Sequence, residues 1–161
     1  MSMSPAELTR HMSALREAGW VLCDWRARSH AGAVSFAELE AYVDATNLAS
    51  LGKGGDLAPG SEGWREIARE EAQALVVHWM RFDLAYEHEA RESTEPQASA
   101  AAAAFFDRFG DGAQLFTNGG ESDGEPRAPT SWTSRTRHTF DLGVVAADAQ
   151  TIGLVWFADE D

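Results

Sequence analysis

The 161-residue chain contains one cysteine, Cys23, so no disulfide can form within it. That usage fits a reducing compartment, and a cytoplasmic protein is expected. Lysine is nearly absent too: Lys53 stands alone against twelve arginines, and neither basic residue occurs between Thr139 and Asp161. No apolar run reaches the about 20 residues of a membrane span. The opening MSMSPAELTRHMSALREAG has neither the apolar centre nor the small-residue cleavage site of a signal peptide. No His-x-x-x-His or Cys-x-x-Cys pair offers ligand spacing for zinc, and no Gly-x-Ser-x-Gly elbow anchors a serine hydrolase. Gly52-Lys53-Gly54-Gly55 lacks the Gly-Lys-Ser/Thr ending of a phosphate loop and reads as a surface loop. No repeat and no linker divides the chain, so one globular domain over residues 1–161 is expected.

What is abundant is acid. The formal net charge is −13. Such a field disfavours nucleic acid and anionic membrane as partners and favours a basic protein. The charge is uneven: residues 1–33 sum to +1, 34–60 to −3, 61–95 to −5, 96–138 to −1 and 139–161 to −5. A hydrophobic fraction of 44% and six tryptophans argue for a packed core over disorder.

The residues from Thr139 to Asp161 hold two runs rich in β-branched and aromatic residues around a polar turn near Asp148, the pattern of a β-hairpin. A two-residue turn there would set Gly143 opposite Leu154 and Gly153 opposite Val144; a one-residue slip would invert the faces. Apolar residues on both faces predict a sheet covered at least partly on both sides. Upstream, Ser4-Pro5-Ala6-Glu7 starts a helix with a capping box, carries Leu8, Met12 and Leu15 on one face, and stops at Gly19. Trp20 to Trp25 is a candidate strand. Ser35 to Glu38 is a second capping box, opening a helix to about Leu48. A loop follows at 51–61. Ser61 opens the longest helical pattern, 62–82, with Trp64, Ile67, Leu75, Trp79 and Phe82 at helical spacing, although residues 75–86 also suit a strand. Thr94-Glu95-Pro96-Gln97 starts an alanine-rich helix ending at Phe109-Gly110, and Ala113 to Thr117 reads as a strand. Residues 118–131 form a long acidic glycine loop. Helices first and strands last give an α+β fold, with several helices packed on a small antiparallel sheet that ends in the C-terminal hairpin.

Few residues carry chemistry of their own. Glu87-His88-Glu89 has metal-ligand types, but neighbours on a helix diverge and no metal site is expected. His78 reads as a structural histidine and Cys23 as a buried inert thiol. No cofactor and no catalytic residue is expected. Arg127, Arg135, Arg137 and His138 lie beside Trp132 and are expected to pair with internal acids. Glu121, Asp123 and Glu125 in the loop, and Asp159, Glu160 and Asp161 at the end, either solvate the surface and shield a terminal strand edge or form an electronegative patch for a cationic partner.

With its acidic loop at 121–125, its ending WFADED, its many tryptophans and no catalytic signature, the chain resembles the immunity proteins of bacterial toxin systems. The resemblance implies an α+β cytoplasmic protein that is not an enzyme. Such a protein binds a cognate basic protein toxin and occludes it. Glu121, Asp123, Glu125, Asp159, Glu160 and Asp161 are its candidate acidic contacts, and Trp132 is its aromatic anchor. The arginine-to-lysine ratio and the alanine run suit a GC-rich bacterial genome. A second expectation is a small-molecule site or small enzyme with a pocket near residues 127–141. A third is a homodimer formed through an exposed apolar hairpin edge.

Overall fold

A computed structural model describes residues 2–16, 19–46, 48, 63–84, 94–121 and 131–160. The 51–61 loop, the Glu87-His88-Glu89 group, Asp123, Glu125, Arg127 and Asp161 lie outside the described residues. Among the described residues the order is α1 Pro5–Ala14, β1 Trp20–Ala27, α2 Phe36–Ala45, β2 Arg65–Ile67, α3 Arg69–Arg81, α4 Glu95–Phe106, β3 Gln114–Thr117, β4 Phe140–Ala147 and β5 Thr151–Asp159. The strands form one antiparallel sheet in the order β1-β5-β4-β3-β2. The fold is α+β, and the C-terminal strand pair β4–β5 lies inside the sheet.

Alternation along the strands divides the core. Val21, Cys23, Leu115, Leu142, Val144, Val155 and Phe157 face α1, α3 and α4. Leu154, Trp156, Val145, Ile152 and Phe116 face α2 and Trp64 on the other side. Covering both faces is why β4 and β5 read as unbroken apolar runs rather than alternating ones. α4 packs on α1 and α3 through its alanines, where small side chains let backbones approach.

Local signals set most helix ends. Ser4 and Thr94 each complete a capping box, with Glu7 and Gln97. Ser35 caps α2 through the Glu38 N–H, but the box stays half made, because the Glu38 carboxylate is taken by the Arg28 guanidinium at 2.6 and 2.8 Å. α2 ends at Ala45 rather than Leu48, where the Thr46 hydroxyl and N–H both donate to the Val43 carbonyl.

Three expectations are corrected. The helix expected over 62–82 begins only at Arg69, and β2 precedes it. Trp64 and Ile67 fit a helical stripe, yet they serve opposite faces of the sheet, and β2 pairs along β3. Ala68 caps α3 with no side-chain bond, so nothing local announces that start. The hairpin turn is centred on Ala149 and Gln150, which puts Gly143 opposite Trp156 and Gly153 opposite Ala146. The Asp148 carboxylate fixes it by accepting from the N–H groups of Gln150 and Thr151, both at 2.8 Å. A Cβ on Gly143 would fall 2.1 Å from the Trp156 ring, so glycine there makes room for the indole. Finally, β5 is no edge. The edges are β1 and the three-residue β2, and β1 is plugged at its centre: the Thr9 hydroxyl accepts from the Cys23 N–H at 2.9 Å and lies 3.2 Å from the Cys23 carbonyl. Edge protection therefore comes from α1, not from the acidic tail.

Candidate functional surface

The charged side chains divide sharply by exposure. Among the described residues, Glu7, Asp44, Glu66, Glu70, Glu71, Glu95, Asp107, Asp111, Glu121 and Glu160 are exposed. Only Arg10, Arg26 and Arg137 match them among the arginines. The other described arginines are buried or half-buried. Arg69 donates to the carbonyls of Phe106, Phe109 and Gly110 at the end of α4. Arg65 holds Glu71 at 2.8 Å and reaches the carbonyls of Gly119 and Gly120. Arg108 lies 3.7 Å over the Trp25 ring and donates to the Met3 carbonyl. Arg135 binds both oxygens of Glu40 at 2.7 and 2.8 Å and stacks on Trp64. Arginine is thus used as internal structure, where its planar fork suits carboxylates, carbonyls and rings. Among the described residues the exposed charges are therefore mostly acidic.

The expected site residues fall in different places. Asp159 is corrected: its carboxylate is buried against Arg16 at 2.8 and 2.9 Å and accepts the Leu84 N–H at 2.8 Å, so it is not offered to a partner. Strand alternation gives the reason, since β5 runs through Asp159 with the side chain beneath the α1 and α3 ends. Glu121 is exposed. Trp132 is half-buried against Phe140, with ring centroids 5.2 Å apart. Glu160 is exposed and binds His138 at 2.5 Å and Thr139 at 3.0 Å, and these bonds hold its carboxyl below the ordinary value. The same His138 ring stacks on Trp20 at 4.1 Å. Trp20 is 44% exposed, more than any other described large apolar side chain. Nothing local in the sequence marks that exposure, because a tryptophan opening an apolar run reads as core.

Two of the surface hollows are lined wholly by described residues. One, of about 220 Å³, lies between Trp64, Arg65, Asn118, the glycines 119 and 120, and Ser131 to Thr133. The other, of about 180 Å³, lies between the end of β1 and α2, beside Arg26, His30 and Tyr42. Both are smaller than the about 300–1,000 Å³ of ordinary ligand pockets. No group of three His, Cys, Asp or Glu residues suited to a metal occurs among the described residues, and no described helix is long and apolar enough to cross a membrane. Burial pushes the Cys23 thiol up to about 12, so it carries no thiolate near neutrality. His78 stacks on Phe82 within the helical layer.

No protein-family model, curated protein or solved structure matches this chain. What the surface does must be argued from its own chemistry, and acid titration is the first handle on it. Hydrogen bonds from Arg28 hold Glu38 below its ordinary 4.5. Partial burial pulls Asp148 up, but N–H donors from Gly110, Gln150 and Thr151 outweigh it and leave the carboxyl below 3.8. Both groups bind protons more weakly folded than unfolded, so they stabilise the fold above their ordinary values and lose that stabilisation as pH falls through the folded ones. Asp141, raised by burial, runs the opposite way. Thermal unfolding followed from pH 7 to about 3 should show the melting temperature falling below about pH 4.5. Glu38→Gln should flatten that limb; an unchanged slope would mean solvent already screens the Arg28 pair.

Proposed function

We propose that this chain is an immunity-type protein of the bacterial cytoplasm, which binds a basic protein toxin and neutralises it by covering it with an acidic surface. The observation that carries this reading is the division of charge among the described residues, ten exposed acids against three exposed arginines. An acidic surface speeds encounter with a basic partner and fixes its orientation. The test is calorimetric titration of the purified protein with the protein encoded beside its gene, in low and then raised salt. A stoichiometric complex of micromolar or tighter affinity, loosening as salt rises, is expected. No binding at micromolar concentration in low salt would overturn the proposal. The small-molecule alternative keeps one supporting observation, the hollow beside Ser131 to Thr133, within the expected 127–141 stretch. A thermal-shift screen that found a stabilising metabolite, lost on Trp132→Ala, would favour it.

A further inference from the structure

We infer that the corner formed by Trp20, His138 and Glu160 is the docking point for an arginine side chain of a basic protein partner; this rests on the binding-protein reading and places its anchor. Trp20 begins β1, His138 precedes β4, and Glu160 follows β5, so three separate segments converge at one end of the sheet. Trp20 is the one tryptophan of the six in the exposed class, at 44%, and the core clusters do not include it. It is nevertheless held in place. One ring contact is the His138 stack, 4.1 Å between centroids and 30° between planes. Glu160 holds the imidazole at 2.5 Å and takes the Thr139 hydroxyl on its other oxygen. An exposed aromatic beside an oriented carboxylate is the composition of an interface hot spot, and fixing both side chains beforehand lowers the entropy lost on binding.

The chemistry selects the guest. A guanidinium can lie flat on the indole face that His138 leaves open, where the negative charge of nearby Glu160 attracts it, and it stacks there better than a lysine ammonium. Glu160 already accepts from His138 and from both the hydroxyl and the backbone N–H of Thr139, which leaves about one of a carboxylate's four acceptor positions for an incoming donor. The exposed Arg137, one residue from His138, opposes a cationic guest, so its removal should tighten binding.

The test uses isotope-labelled protein titrated with an acetylated octa-arginine amide, with octa-lysine as control. The indole N–H of Trp20, assigned through Trp20→Phe, should shift saturably, and more with arginine than with lysine. Glu160→Gln should weaken the response about fivefold, the range of an exposed charge pair. The double variant Glu70→Gln/Glu71→Gln, on α3 beside the opposite sheet edge, should leave the Trp20 response unchanged. A Trp20 indole that does not move while α3 amides do would overturn the inference, as would an unaltered response in Glu160→Gln. The peptide needs no natural partner. A responsive Trp20 with an inert neighbour protein would therefore sink the toxin reading alone, and a bound neighbour with a silent Trp20 would sink the corner alone.

Discussion

Asp159→Ala is expected to cost about 3–5 kcal/mol, because it leaves a buried guanidinium without its counter-charge. The Arg16 and Asp159 side chains are 1% and 6% exposed, so water cannot replace the lost partner. Arg16 just follows α1, Asp159 ends β5, and the same cluster takes the Phe82 carbonyl and the Leu84 N–H beyond α3. The pair therefore ties three elements, with the guanidinium resting 5.4 Å from the Phe157 ring centroid. Gly19 belongs to this cluster as well. Its φ is +82°, and a Cβ there would fall 1.8 Å from an Asp159 oxygen. For a chain of this size the loss should lower the melting temperature by about 10 °C or more. Urea unfolding of Asp159→Ala beside Arg16→Met/Asp159→Leu would check the cause. The double variant removes both charges and should recover most of the stability. A cost below about 1 kcal/mol in the single variant would mean that solvent reaches the pair.

The capped helices, the β-branched hairpin and the covered sheet could be read from the chain because their determinants are local. Ser4 with Glu7, and Thr94 with Gln97, act over three residues. What escaped depends on distant partners. β2 is only three residues long and exists because β3 offers it an edge, so the apolar spacing of Trp64 and Ile67 was absorbed into a helix. The hairpin register differs by two because the Asp148 side chain, by taking the Gln150 and Thr151 N–H groups, centres the turn on Ala149 and Gln150. The candidate site was legible only in its charge. A tail of three acids looks alike in sequence, yet Asp159, the last residue of β5, is buried beneath the α1 and α3 ends, while Glu160 lies past the strand and is exposed. The Asp159 partner, Arg16, lies 143 residues away, and no local pattern joins them. Trp20 was passed over for Trp132 for the same reason: whether an indole is covered depends on what packs above it.

The inward use of arginine links stability to surface chemistry. Each guanidinium that caps carbonyls or stacks on a ring is one cation fewer outside. The acidic exterior thus follows from how the interior is held as much as from the excess of acid.

Asp141→Ala is expected to cost about 2–4 kcal/mol, since each buried donor left unpaired costs about 1–3 kcal/mol. Its carboxylate, fully buried at the start of β4, accepts from the N–H of Arg135 at 3.0 Å and from the N–H and hydroxyl of Thr136 at 2.5 and 2.6 Å. Asn118 completes the knot, donating to the Asp141 carbonyl at 2.9 Å and accepting the Gly143 N–H at 2.9 Å. These bonds fold residues 133–141 back onto β3 and β4 and set His138 beneath Trp20. The loss should therefore reach the surface. Amide exchange at Arg135 and Thr136 should accelerate in step with the stability loss, and the emission of Trp20 should change as its stack on His138 loosens. Asp141→Asn should recover only part of the loss. It keeps the shape but exchanges one acceptor oxygen for a donor that faces other donors. If exchange at Arg135 and Thr136 stayed slow in Asp141→Ala, the turn would be held by its own backbone, and the corner would survive without the carboxylate.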